Sequence, residues 1–186
     1  ERVTLSLGEQ QLDARLLVRS TPALDATAYL IAHFDAPAGV WPIGTISLIR
    51  DGAYVGQGRF DADRIRRDGL SFGRDELVNV RSERPEQHQG KTGLIGSRQQ
   101  RVDSRRYVVE NRHRQAIELQ LLDAAPVSEH QDVRIESRYE PTPQTERWNE
   151  QPGSIAWEQS LAAGATQSFT AEHSLSWPKD QRLRER

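Results

Sequence analysis

Five histidines, His33, His88, His113, His130 and His173, are the residues best suited to acid–base or metal chemistry in this chain. No two of them stand in an HxH or HExxH spacing, so local geometry does not place two imidazoles on one metal. His33 and His173 fall on apolar strand faces, where a hydrogen-bonded core or interface imidazole is the expected role. His88, His113 and His130 fall in loops and read as solvated. His130 follows Glu129 and precedes Asp132, a loose cluster without the ordered loop pattern that calcium requires. Asp61-Ala62-Asp63 reads as a solvated turn. Nucleophiles fare no better: GxSxG is absent, and Gly96-Ser97 lacks the strand–turn–helix context that exposes a catalytic serine. Glu136 and Glu140 are i, i+4 on a strand, about 13 Å apart, too far for either glycosidase geometry. No glycine-rich phosphate loop is present. The expectation is no catalytic residue, no metal and no cofactor, and therefore no enzyme. What remains is two tryptophans in loops, Trp41 between Val40 and Pro42, and Trp148 in the polar stretch Thr145–Gln151. A loop aromatic can stack on a sugar or anchor a protein partner, so these two are the candidate contact residues.

The elements that would position them follow from composition and pattern. The chain has 186 residues, enough for one sizeable core or two small ones. Charged residues make up 28% and mean hydropathy is -0.74, so much of the surface is solvated. The net charge of -2, from 25 basic and 27 acidic residues, argues against a nucleic-acid partner, which selects a basic face. No apolar run approaches the length of a membrane span. Cysteine is absent, which excludes disulfides and thiolate metal sites within this chain. The start at Glu1 reads as an excised domain or a processed product.

Gly44–Phe60 (GTISLIRDGAYVGQGRF) is the clearest structural signal. Asp51-Gly52 between two strand-like runs predicts a two-residue type I′ hairpin, whose central residues both need positive φ. That turn predicts Leu48 opposite Val55, Ile46 opposite Gln57, and Ile49 opposite Tyr54. Gly56 and Gly58 predict a bulge or a close backbone approach in the return strand. Period-two alternation marks further strands at Glu1–Leu7, Ile117–Leu121, Val133–Tyr139, Ser154–Leu161 and Phe169–Trp177. Ala26–Phe34 reads as a buried strand, Leu70–Gly73 and Leu77–Val80 as short ones, and Arg98–Asn111 as a long one. Gln10–Ser20 fits either a helical turn or a strand. Asp61–Asp68 reads as charged and exposed, and Arg84–Lys91 and Glu140–Gly153 as surface loops. Short strands without a long amphipathic helix predict an all-β antiparallel sandwich, immunoglobulin-like or related. Residues 1–186 are expected to form one domain, with 1–25 loosely attached and 181–186 frayed. Trp157 and Trp177 are expected in its core and Trp148 on its surface.

Four stretches in order carry a family resemblance: LIRDGAYVGQGRF (Leu48–Phe60), LSFGRDELVNV (Leu70–Val80), the run Thr92–Glu136, and SIAWEQSLAAGATQSFTAEHSLSWPKD (Ser154–Asp180). Their most specific parts are Arg50-Asp51-Gly52, the turn at Asn111, Pro126-Val127-Ser128-Glu129, and Trp177-Pro178-Lys179-Asp180. Together they resemble the C-terminal domain, of unknown function, of the bacterial mucoidy inhibitor A family, over roughly Ala26 to Asp180. The resemblance implies a β-rich fold and an association with the bacterial envelope or periplasm, and supplies no catalytic residues. Two functions are open at this point. One is a non-catalytic module making protein–protein contacts in the envelope. The other is a carbohydrate-binding module, or a glycan-processing enzyme, with Trp41 or Trp148 in its site.

Overall fold

The computed structural model describes residues 8–35, 37, 39, 41–83, 91–95 and 98–180. The expected strand Glu1–Leu7, most of the loop Arg84–Lys91, His88, Gly96-Ser97 and the tail 181–186 lie outside them. Strands β1 (Arg15–Thr21), β2 (Asp25–His33), β3 (Gly44–Arg50) and β4 (Ala53–Phe60) lead to a short helix, α1 (Ala62–Asp68). After it come β5 (Leu70–Arg74), β6 (Val78–Glu83), β7 (Lys91–Ile95) and β8 (Arg98–Asn111). The chain then forms β9 (Ile117–Ala124), β10 (Arg134–Glu140), β11 (Ser154–Leu161) and β12 (Thr166–Pro178). One sheet runs β11-β9-β1-β2-β5, a second runs β10-β12-β8-β6 with β7 also on β8, and β3-β4 form a separate ribbon. The fold is all-β and rich in antiparallel pairs. One pairing departs from that expectation: β1 lies parallel to β9, with Val18 against Leu119.

The chain divides into two compact units, residues 1–17 with 30–73, and residues 18–29 with 74–186. The second unit is a sandwich. Val18, Leu119, Leu121, Ile155 and Trp157 of one sheet meet Val80, Tyr107, Val109, Phe169 and Ala171 of the other in a single buried cluster. Trp157 is fully buried, as expected, and packs edge-on against Phe169, with ring centroids 5.7 Å apart. Trp177 is buried too. The turn after β8 is closed by the buried Asn111 amide. Its Nδ2 donates to the carbonyls of Gln115 (3.0 Å), Leu161 (2.9 Å) and Ala162 (3.0 Å), and its Oδ1 accepts from the His113 amide. No apolar residue could satisfy those carbonyls, and a buried unpaired carbonyl is expensive.

Segment 141–153 is not a detached loop. Gln144 and Thr145 donate backbone N–H groups to Ala156 O, Ala156 N–H returns to Thr145 O, and the Trp157 indole donates to Pro141 O at 2.6 Å. The edge of β11 is thereby covered, which blunts a hazard that open strands carry.

The first unit holds the β3–β4 ribbon, α1 and a small core of Leu48, Ile65 and Leu70, flanked by Phe34, Ile46, Val55, Phe60 and Phe72. The Asp51-Gly52 turn has the expected positive φ at both residues, 53° and 79°. The register differs from expectation beyond the first pairs. Ile49 does face Tyr54, but Leu48 faces Gly56 and Ile46 faces Gly58. Val55 is the extra residue of a bulge, made possible by Gly56 at φ 142°. Helix α1 replaces the exposed stretch expected at Asp61–Asp68. Asp61 is its N-cap, with Oδ1 accepting from Arg64 N at 3.2 Å, and Ile65 is buried beneath it. Asp61-Ala62-Asp63 is therefore the start of a helix rather than a solvated turn.

Candidate functional site

Three surfaces of the molecule carry polar or aromatic groups in unusual settings. The first is in the sandwich unit, where β8 sends Arg101, Asp103, Arg105 and Tyr107 to one face because strand side chains alternate. On that face His173 of β12 stands opposite Asp103, and Ser137 of β10 stands opposite His173. Asp123, near the end of β9, is buried and accepts from Arg105 Nη1 at 2.8 Å. The same nitrogen reaches Ala124 O at 3.3 Å, while Nη2 meets Asp103 Oδ2 at 3.4 Å. Burial opposes the charge on Arg105, but the Asp123 carboxylate, with Tyr107 and Asp103 nearby, outweighs it and raises the guanidinium above its usual value. The Tyr107 hydroxyl stands beside Asp123 and Arg105 without full hydrogen-bond geometry to either. Burial first, and then the charge of Asp123, push its ionisation well above that of an ordinary phenol.

His173 is buried. Its Nδ1 lies 2.9 Å from Ser137 Oγ, and Tyr139 packs edge-on against the ring, while Nε2 has no partner among the described residues. Burial holds this imidazole below its ordinary pKa, with Asp123 acting weakly in the other direction. The expectation of a hydrogen-bonded core histidine is met at this position. Over the cluster opens a cavity of about 1140 Å3, lined by Arg101, Asp103, Arg105 and Tyr107 with the Pro22-Ala23-Leu24 turn on its rim. Neither Asp103, Arg105 nor Asp123 stands out in the sequence. They lie on separate strands, and only the sheet packing brings β8 to β9.

The remaining histidines separate. His113 is not solvated: its Nε2 sits 2.9 Å from both oxygens of the nearly buried Asp75, tying the β5–β6 turn to the β8–β9 turn. Asp75 in turn receives Leu77 N on Oδ1 and gives its own N–H to Ala28 O. His130 is exposed, as expected, and lies 3.9 Å from Asp132. His33 lines a second cavity in the first unit with Asp13, Asp35 and Arg66. Among the described residues no group of three histidine or acidic side chains is arranged to hold a metal, and no helix is long and apolar enough to cross a membrane.

The two loop tryptophans sit in different settings. Trp148 opens a 3-10 turn at Trp148–Glu150 and is half-buried, with the Arg19 guanidinium 5.2 Å above its ring. Arg19 also donates to Gln120 Oε1, and Gln120 to Glu158, so Trp148 caps a polar chain running across the outer face of β1, β9 and β11. Its ring face is occupied by that cation. Trp41 is 46% exposed and leans on Phe60, with ring centroids 6.1 Å apart. A third surface is the outer face of the β3–β4 ribbon. There Ile49 and Tyr54, opposite one another, are 61% and 63% exposed, and Ile43 just ahead of β3 is 59% exposed.

No curated protein and no solved structure matches the chain. A family profile does, over residues 2–179. The chain belongs to the DUF4139 family, whose members share a domain of unknown function.

Proposed function

We propose that this domain is a non-catalytic contact module that binds an extended segment of another protein along the β3–β4 ribbon, in the bacterial envelope as the mucoidy inhibitor A resemblance implies. The observation that carries the reading is the ribbon's outer face. Among the described residues β3 and β4 pair only with each other, which leaves a backbone edge on each side, and Ile49, Tyr54 and the preceding Ile43 lie exposed on this ribbon. A strand added to an open edge gains main-chain hydrogen bonds, and alternate apolar side chains supply selectivity. The aspartate–glycine turn and the bulge hold the register, so the exposed Ile49–Tyr54 pair keeps one fixed orientation. Trp148 supports a glycan-stacking role poorly, since Arg19 already covers its ring.

The test is a photo-crosslinking residue placed at Tyr54 in the full-length bacterial protein, with the same residue at Arg138 on β10 as control. The expected result is one protein captured from position 54 and not from 138, whose purified form binds at least about tenfold more weakly to Ile49→Arg. Self-crosslinking alone, or binding unchanged by Ile49→Arg, overturns the reading. Oligosaccharide binding that disappears in Trp41→Ala would favour the glycan module instead.

A further inference from the structure

The cavity over Arg105 has the charge layout of a zwitterion site, independent of the ribbon. Arg101, Asp103 and Arg105 recur at every second position of β8, so positive, negative and positive groups follow one another along a single face. Asp123 has a fully buried side chain and grips only one end of the Arg105 guanidinium. A guanidinium carries five N–H donors. Nη1 serves Asp123 and Ala124, and Nη2 gives one weak bond to Asp103. Among the described residues no acceptor stands in hydrogen-bond geometry to Nε–H or the second Nη2–H, and the Tyr107 hydroxyl lies alongside. Those are the donors that take a carboxylate in a fork. Asp103, with about a third of its side chain exposed, lies next to them and is the natural acceptor for an ammonium group.

The two arginines and two aspartates cancel, so a lone anion meets the repulsion of Asp103 and a lone cation that of Arg105. A ligand carrying both charges a few ångströms apart satisfies both. The rim adds an apolar element: Leu24 is 88% exposed at the β1–β2 turn, beside Ala23. We propose that this cavity binds a free α-amino acid with an apolar side chain, its carboxylate on Arg105, its ammonium on Asp103, and its side chain against Ala23 and Leu24.

The experiment titrates the full chain with L-leucine, glycine, acetate, methylammonium and glucose, following amide and Arg105 Nε–H shifts by NMR. Leucine is expected to saturate and to perturb residues 101–105 and 22–24. Glycine should bind more weakly, and acetate or methylammonium alone about tenfold more weakly or less. Arg105→Gln would strand the buried Asp123 charge and can fail to fold, so Asp103→Asn carries the test. That variant should melt with the parent protein and lose at least about fivefold in leucine affinity. Absence of saturation by leucine overturns the proposal. So does acetate binding as well as leucine, glucose binding at the same residues, or an unchanged affinity in Asp103→Asn.

Discussion

His173 shows how much one side chain can tie function of pH to a packed core. It is neutral and buried in the native sandwich, and among the described residues its ring hydrogen-bonds only to Ser137. The groups facing it are Asp103 and Arg105 from β8, Asp123 from β9, Ser137 and Tyr139 from β10, and Glu146. Because burial lowers its native pKa, the unfolded chain takes up the proton first as pH falls below about 6.5. Stability contributed by neutral His173 is therefore complete above that pH. It declines as pH drops through the interval down to the native pKa, and the slope is at most about 1.4 kcal/mol per pH unit for this group. Urea denaturation of the parent protein and His173→Gln between pH 7.5 and 4.5 checks it: the parent should lose more stability than the variant. Parallel pH profiles would mean that His173 is not the group responsible. Asn111 makes a contrasting case, since its amide serves three carbonyls and carries no charge to titrate.

At the scale of elements, Gly69 decides whether α1 can lie where it does. It closes the helix with its N–H on Ile65 O at 2.8 Å and stands at φ 76°. A Cβ there would run into Ile31 Cγ2, and would sit 2.9 Å from His33 Nε2 and 3.1 Å from Ala32 O. Gly69→Ala therefore combines a strained backbone with a clash against β2, and should cost about 2–4 kcal/mol. Gly164, at φ 69° with nothing within 4 Å of its Cβ, isolates the backbone part alone; Gly164→Ala should cost about 1–2 kcal/mol. Equal losses in the two variants, measured by thermal or urea unfolding, would show that the contact with β2 contributes nothing. Several elements were legible from sequence for local reasons. Alternation marked β11 at its observed bounds and β12 from Phe169, three residues inside its start, β8 coincides with the long β-rich stretch Arg98–Asn111, and Asp51-Gly52 announced the hairpin. Other features depend on partners distant in sequence. The bulge at Val55 needs Gly56 to take φ 142°, α1 shows only one buried apolar residue, Ile65, and the parallel β1–β9 pair joins segments a hundred residues apart. The Arg105–Asp123 pair, and the Asp75–His113 pair that makes a loop histidine structural, were hidden for the same reason.

At the scale of the whole molecule, the two units are unequally provided with core, and this predicts unequal stability. Among the described residues the first unit buries Leu17, Ile31, Ala32, Leu48, Ile65 and Leu70, and only the last three form a cluster of their own, with aromatic and aliphatic neighbours only partly covered. At about 1.5–3 kcal/mol for each fully buried side chain, that core offsets little of the backbone entropy of a ribbon, a helix and a strand. The sandwich unit encloses a continuous cluster from Val18 to Ala171, with Trp157, Tyr107 and Phe169 all fully buried. Small, sparsely packed regions open locally at a lower free energy than the global transition, whereas central strands open only with it. Native-state hydrogen exchange should therefore find the β3, β4 and α1 amides opening at least about 2 kcal/mol more easily than those of β8, β9 and β12. The difference should persist in low urea and vanish near the midpoint, as subglobal openings merge with global unfolding. A low-stability ribbon also suits the proposed contact, because a strand added to its edge would protect the same amides. If β3–β4 amides exchange at the rate of β8 and β12 in the free domain, the two cores unfold as one cooperative body and this ranking fails.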